Sequence, residues 1–418
     1  MKYKVTVFCQ FTKFFFKIFY LGGIQQGSSL WLKAVFLAGN LLAVDTKPLP
    51  IKGFDFRSIL LVISPRMRLL LLPLAWIYGL VIVIRNFFYN KGWLRSFEFD
   101  FPIILVGNLA AGGTGKTPHV EYLIQSLQNN YKVATLSRGY GRSMKGYGLA
   151  TELSLVEDIG DEPKGYKHKF PATEVAVSEN RVNGVYYLLN DEPDVKVIIM
   201  DDGFQHRRIK AGLNIVLTTW QKPYFKDHML PAGNLREPKA GINRAQVVIV
   251  TKCPDEITPD QKMLYATKLG LSSHQQLFFT GLRYGNWYPL NIQQPIVQIP
   301  FQQSVILMTG IAGNKQLKSY LSCKFSTIHI AAFSDHHYFR EKDFLRVAGS
   351  FPDTKTIITT EKDAMRLSEQ KDILLQMGFS VFVLPVDVHF LGEEEKFWHL
   401  ITNFIDKYPE ATAEPASN

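Results

Sequence analysis

The chain has 418 residues, long enough for two domains with their own cores, and a formal net charge of +10. Its 3 cysteines, Cys9, Cys253 and Cys323, give neither a disulfide framework nor metal-ligand spacing, which suits a reducing compartment. The first hundred residues hold 13 Lys/Arg against 4 Asp/Glu, so the remainder is near neutral and a nucleic-acid protein with a basic body is excluded.

Residues 1–58 mix aromatic clusters such as Phe14-Phe15-Phe16 with Gly, Pro and basic residues, without sustained periodicity. Phe11–Tyr20 fits a short amphipathic or apolar helix, and the extension fits equally a poorly ordered segment or an over-extended start with Met67 as the initiator; its order is left open and no function is assigned to it. Region 59–97 reads as a membrane-associating helix region. Within it, Leu69–Ile84 carries no charge, with Arg66 and Arg68 before it and Arg85, Lys91 and Arg95 after. Crossing a hydrocarbon core takes about 20 apolar residues. This shorter run, with Trp76 and Tyr78 inside it, therefore reads as a helix lying in or on one leaflet of an anionic membrane.

From Glu98 onward, short apolar strands alternate with helical stretches, which predicts a doubly wound parallel sheet. The expected strands are Ile103–Val106, Val133–Ser137, Val197–Met200, Ile215–Thr218 and Val247–Thr251. A second series reads Phe278–Leu282, Val305–Thr309, Ser326–Ala331, Thr356–Thr360 and Val381–Pro385. The fold class is an α/β/α sandwich of P-loop NTPase type, with a second, smaller α/β domain and the N-terminal apolar helix. The boundaries read are a P-loop core at 98–283, a Gly/Pro/Asn/Gln-rich linker at 284–300, the second domain at 301–408 and a disordered tail at 409–418.

Between the first of these strands and a helical pattern at Val120, Leu123, Ile124 and Leu127 lies Gly112-Gly113-Thr114-Gly115-Lys116-Thr117. Strand, glycine-rich turn, Lys-Thr and helix form the context of a phosphate-binding loop. Backbone N–H groups and the helix N-terminus would cradle the phosphates of a nucleoside triphosphate. Lys116 would reach the β/γ-phosphates and the Thr117 hydroxyl would ligate Mg²⁺. The loop is a variant, since Ala110 stands where the first glycine of G-x-x-x-x-G-K-[ST] falls. Ala111 stands where partitioning-type ATPases carry a signature lysine. In Thr251-Lys252-Cys253-Pro254, proline replaces the carboxylate of a guanine-reading element, so ATP is expected over GTP.

The strand run at Val197–Met200 ends in Asp201-Asp202-Gly203, carboxylates placed to hold Mg²⁺. Gln205 and His206 follow on the same turn, in reach of the phosphates. Ser137-Arg138-Gly139-Tyr140-Gly141-Arg142 sets two arginines after a strand, as an anion site would. The loop Leu230–Pro238 exposes Arg236 and Glu237. Taken alone, Gly160-Asp161-Glu162-Pro163 reads as a turn and Asp335-His336-His337 as a surface loop.

In their order along the chain, these segments resemble the tetraacyldisaccharide 4′-kinase family, the lipid A 4′-kinases of Gram-negative bacteria. The carriers run from Arg68–Leu74 through Val106-Gly107-Asn108, Gly112–Pro118, Leu136–Gly141, Gly160–Pro163, Asp201–Arg207 and Pro231–Pro238. They continue through Thr309–Ala312, Phe333–His337 and Thr360-Glu361-Lys362-Asp363. The resemblance covers about residues 60 to 405. It departs at Ala110, and at Gly313-Asn314 where the family tends to read Asn-Pro.

The resemblance implies that ATP donates its γ-phosphoryl group to the 4′-hydroxyl of a tetraacylated glucosamine disaccharide 1-phosphate, forming lipid IVA. It implies Lys116, with Mg²⁺ held by Thr117 and the Asp201/Asp202 pair, around the transferring group, and Gln205 and Glu237 in the site. The base would be Asp161 with His336 as its partner. Arg138, Arg142 and Arg181 would contact substrate phosphate, and Arg236 would line the substrate side. The expected setting is the cytoplasmic face of the inner membrane, as a monomer without nucleic acid. The alternative left open is a nucleotide-dependent membrane switch or scaffold without lipid kinase activity.

Overall fold

The computed structural model describes residues 68–290, 303–310 and 315–408. The expectations for residues 1–58, the tail at 409–418 and Gly313-Asn314 lie outside the described residues. A single 3-10 turn at Leu69–Leu71 leads into helix α1 (Leu72–Asn90). Pro73 falls in its first turn, where the missing N–H costs no hydrogen bond. The helix outlasts the uncharged run by six residues. Beyond Ile84, the Arg85 and Arg207 guanidinium groups lie 5.5 and 5.2 Å from the Tyr89 ring. Ala75 is the sole buried residue of α1.

The first lobe continues with β1 (Phe97–Glu98), β2 (Ile103–Asn108), α2 (Lys116–Leu127), β3 (Val133–Ser137) and β4 (Gly148–Leu149). Next come α3 (Val156–Ile159), α4 (Asp161–Lys169), β5 (Glu174–Val177), α5 (Arg181–Asp191), β6 (Val197–Asp201) and β7 (Ile209–Lys210). It runs on through β8 (Leu213–Thr219), β9 (Val247–Thr251), α6 (Pro259–Leu269) and β10 (Gln276–Tyr284). The second lobe holds β11 (Tyr288–Pro289), β12 (Ser304–Thr309), α7 (Lys315–Ser322), β13 (Thr327–Ala332) and α8 (Glu341–Ser350). Then follow β14 (Thr356–Thr360), α9 (Glu361–Ser368), α10 (Lys371–Gln376) and β15 (Ser380–Leu384), and finally β16 (Val386–Phe390) and α11 (Glu394–Ile405).

Nine strands form one sheet in the order β16-β10-β9-β8-β2-β6-β3-β5-β4, and five form another in the order β11-β15-β14-β12-β13. The nine-stranded sheet is parallel except at its edges, where β16 and β4 run antiparallel to their neighbours. Its central strands are buried on both faces, as parallel strands under two helical layers must be. Ile103 and Leu105 of β2 enter one core cluster while Ile104 and Val106 enter the other. The smaller sheet divides in the same way, with Ile306 and Met308 on one face and Val305 and Leu307 on the other.

The expected second domain at 301–408 requires correction. At Pro385 the chain leaves the smaller sheet, and β16 returns to pair antiparallel with β10, Val386 opposite Tyr284. Helix α11 then buries Phe397, Ile401 and Ile405 in the first-lobe core. Aromatic packing secures the return: Phe397 meets Phe278 edge-on at 5.3 Å between centroids, and Phe390 lies 4.8 Å from Phe397. The expected linker at 284–300 is also structured where it is described. Tyr288–Pro289 pairs with β15, and Gly285 N–H donates to the Pro385 carbonyl at 3.0 Å. The second lobe is thus the connection of a hairpin whose two strands belong to the first.

Candidate active site

Ligands of open parallel sheets sit beyond the C-terminal ends of the strands, and most of the expected residues gather there. Past β2, the glycine-rich loop is braced twice. Asn108 Nδ2 donates to Thr114 Oγ1 at 2.8 Å, and Thr251 Oγ1, at the end of β9, donates to the Thr114 carbonyl at 2.7 Å. Gly112 and Gly113 are exposed at the crest of the loop. Gly115 caps α2 with a φ of 89°, a left-handed conformation that favours glycine. Thr117 is the second residue of that helix.

His119 Nδ1 lies 2.7 Å from the Gly115 carbonyl, and Nε2 lies 3.0 Å from Thr280 Oγ1. A carbonyl only accepts, so Nδ1 carries the proton and Nε2 takes the hydroxyl's. Burial pushes the His119 pKa down to about 4. Lys252, at a φ of 54°, brings Nζ within 3.8 Å of where a Cβ on Gly113 would stand.

Lys116 Nζ is 3.5 Å from Asp202 Oδ1, and Arg236 Nη1 reaches the two Asp202 oxygens at 2.9 and 3.0 Å. Burial works against ionisation, but Lys116 and Arg236 outweigh it and hold Asp202 below the ordinary carboxylate value. Asp201, the last residue of β6, differs. Its Oδ2 accepts from the Tyr166 hydroxyl at 2.9 Å, while Oδ1 is buried without a hydrogen-bond partner. Burial raises the Asp201 pKa. The expectation put both aspartates on the metal. Asp202 is committed to two cations, and Asp201 keeps the open oxygen. Gln205 Nε2 donates at 2.8 Å to both the Asn108 carbonyl and Glu237 Oε1, and Arg244 pairs with Glu237 Oε2.

The facing wall comes from α4 and the second lobe. Asp161, buried, opens α4, where the helix dipole favours negative charge. His336 Nδ1 stands 2.9 Å from Asp161 Oδ2. Lys362 Nζ lies 3.1 Å from His336 Nε2, 3.4 Å from Glu162 Oε1 and 3.2 Å from Asp335 Oδ1. An ammonium only donates, so His336 Nε2 accepts and the ring proton sits on Nδ1, which lies beside Asp161 Oδ2 without an aligned hydrogen bond.

Burial opposes charge on Asp161, but His336, Glu162 and Lys362 hold it well below the usual range. Burial and the Asp161 charge push Glu162 up to about 8. The two shifts run in opposite directions, so Asp161 is the member of the pair that carries the charge more readily. Arg366 Nη1 stands behind them, 3.8 Å from Asp161 Oδ2. Asp161, Glu162 and His336 present ligand atoms within 4.8 Å of one another, but the Lys362 ammonium already stands among them. His337 is engaged elsewhere, 2.9 Å from Asp343.

Two expected phosphate contacts are placed differently. Arg181, 2 % exposed, is turned inward to the Ser178 carbonyl and, at 3.5 Å, to the Asp201 carbonyl. It begins α5, which packs on β3 and β5, and its side chain reaches the end of β6 from there. Arg142 pairs with Glu179 at 2.8 Å and donates to the Gly146 carbonyl. Arg138 is exposed at the end of β3. The adjacent Gly139 packs so closely that a Cβ there would meet the Ile159 carbonyl at 2.7 Å. Sequence reasoning gave no role to Tyr166, Glu162, Lys362 or Arg366. Glu162 and Lys362 lie inside quoted motifs, and their neighbours Asp161 and His336 were the available signal.

A lysine inside a glycine-rich turn, carboxylates at a strand end and an Asp–His pair across from them define a kinase-class enzyme on a mixed α/β fold. The tetraacyldisaccharide-1-P 4′-kinase (LpxK) family matches residues 67–406. Similar proteins include the tetraacyldisaccharide 4′-kinase of Bacteroides thetaiotaomicron, 41 % identical over 80 % of this chain and 92 % of its own length. That of Flavobacterium johnsoniae is 42 % identical over 81 % and 97 %. LpxK from Aquifex aeolicus, crystallised in complex with ATP, aligns with a TM-score of 0.62 at 30 % identity, covering 81 % of this chain and 99 % of that one. The chain belongs to the tetraacyldisaccharide 4′-kinase family.

Proposed function

We propose that the protein transfers the γ-phosphoryl group of ATP to the 4′-hydroxyl of a tetraacylated glucosamine disaccharide 1-phosphate at the cytoplasmic face of the inner membrane. The observation that carries this reading is the Asp161–His336 pair, held at 2.9 Å in a family member. A nucleotide switch has no need of a proton acceptor.

The residues present fit a magnesium ion, because Asp201 Oδ1 is a buried carboxylate oxygen without a protein partner. Asp201 and Thr117 would hold it, with Asp202 acting through Lys116. When bound, Mg²⁺ neutralises charge on the phosphates and on the departing ADP.

Lys116 orients the phosphoryl group. Asp161 aims a carboxylate oxygen at the sugar hydroxyl, and the bond from O4′ to phosphorus forms as the bridge to ADP breaks. A carboxylate held below its usual range is a weak base toward an alcohol. In a loose phosphoryl-transfer transition state the proton leaves late, so being ionised and well aimed matters more than basicity. His336 Nδ1, 2.9 Å from Asp161 Oδ2, stands where a small turn of either side chain would fix that aim, and Lys362 fixes the tautomer of His336.

Helix α1 supports the membrane setting. Arg68 donates to the Gly233 carbonyl, Tyr78 to the Arg236 carbonyl and Arg85 to the Gln205 carbonyl, at 2.8, 2.8 and 2.9 Å. Arg207 donates to the Asn86 carbonyl at 2.9 Å. A helix fastened along its length to one body lies on the membrane rather than crossing it. Its other face exposes Trp76, Leu80 and Phe87.

The test is transfer of ³²P from γ-labelled ATP to the disaccharide lipid in mixed micelles. Asp161→Asn should lower the rate by roughly 10²–10⁴-fold and leave ATP binding intact. An unlabelled lipid with wild-type protein that binds ATP would return the reading to a switch.

A further inference from the structure

Tyr166 has no part in the steps above, yet it is fully buried and its hydroxyl ends on the site. The backbone of Asp201 is fixed: β6 pairs with β2, Asp201 lies opposite Val106, and Asp202 N–H donates to the Val106 carbonyl at 3.0 Å. Only the side-chain torsions of Asp201 remain free. They decide which oxygen faces the phosphate loop. The Tyr166 hydroxyl, 2.9 Å from Oδ2, occupies that oxygen and leaves Oδ1 open. Lys116 is the competing attraction, and a carboxylate released from Tyr166 could turn to it.

The origin of this tyrosine matters as much as its contact. Tyr166 lies on α4, the helix that begins with Asp161. One rigid helix of nine residues thus carries the proton acceptor at its first turn and the grip on the strand-end carboxylate near its other end. Movement of α4 shifts both.

We propose that Tyr166 is a positioning residue: it reserves Oδ1 of Asp201 for the divalent cation of the ATP complex and ties that ligand to the helix bearing Asp161. The proposal rests on the reading of Asp201 as a metal ligand. Partners that orient a ligand typically contribute 10–100-fold to metal affinity.

The test uses full-length protein with a non-hydrolysable ATP analogue and Mn²⁺ as a paramagnetic probe, titrated by EPR. Tyr166→Phe keeps the ring and removes the hydroxyl. It should weaken Mn²⁺ binding by about tenfold or more, leave the affinity for the metal-free analogue unchanged, and lower kcat without changing the lipid KM. Mn²⁺ affinity within twofold of wild type would overturn the proposal. Asp201→Asn tests the underlying reading separately, since wild-type Mn²⁺ binding there would remove Asp201 from the metal.

Adding Tyr166→Phe to Asp201→Asn covers general damage to the fold. Positioning predicts no further loss of Mn²⁺ affinity in the double variant. The full single-variant loss repeated there would mean a structural role, and would also overturn the proposal.

Discussion

His119 ties the glycine-rich loop to β10 as a neutral ring, and that makes its tie sensitive to acid. Its folded pKa, about 4, lies below the unfolded value of 6.5. The unfolded chain therefore takes up a proton first as pH falls. The contribution is complete above pH 6.5 and is lost as pH drops from there toward about 4, a span worth roughly 3 kcal/mol. His119→Gln should flatten this part of the profile, read as the difference in urea unfolding free energy between pH 7.5 and 4.5.

At this scale the sequence spoke unevenly. Lys116, Asp201 and Gln205 stand out as candidates because local context marks them. Only the resemblance paired Asp161 with His336, because a turn and a loop far apart in the chain say nothing of a 2.9 Å approach. Arg142 and Arg181 were misplaced because an arginine after a strand looks the same whether it faces a ligand or a buried carbonyl.

Among the elements, α1 carries the clearest division of labour. Its polar side chains bind carbonyls of the loops that hold Gln205 and Arg236, and apolar ones such as Trp76, Leu80 and Phe87 are left to solvent. Trp76→Asp or Leu80→Asp should reduce co-sedimentation with anionic vesicles by about tenfold or more, from the cost of a carboxylate among acyl chains. Phosphorylation of substrate in detergent micelles should fall much less. Unchanged co-sedimentation in both variants would remove α1 as the anchor.

The main strands of both sheets were legible from apolar runs, several to the residue, as at Val133–Ser137 and Val247–Thr251. Helix α4 was not. Its sequence, DEPKGYKHK, is so polar that no apolar stripe marks it. Its place is set by Asp161, Tyr166 and Lys169, each reaching a different part of the protein.

Across the whole molecule, Lys169 bridges the lobes: Nζ lies 2.7 Å from Glu121 on α2 and 2.9 Å from Glu361 at the start of α9. Removing the cation leaves two carboxylates facing each other. Lys169→Met should cost about 1–3 kcal/mol, less than a fully buried pair because the lysine is partly solvated. Chemical denaturation would measure it.

The return of β16 to β10 was beyond the reach of sequence patterns. A five-residue strand at the end of the second lobe looks the same whichever sheet it joins, and only long-range register decides.

That return couples the two lobes through chain entropy. While folded, the second lobe holds the ends of β10 and β16 side by side, as a tight turn would. If it melts, the same pairing must close a flexible loop on the order of 100 residues, costing about 4 kcal/mol. A core truncation in the second lobe such as Phe344→Ala should therefore weaken hydrogen-exchange protection in β16, far from the substitution. The second lobe serves the first as a prefolded loop, and its melting would loosen the edge of the sheet it interrupts.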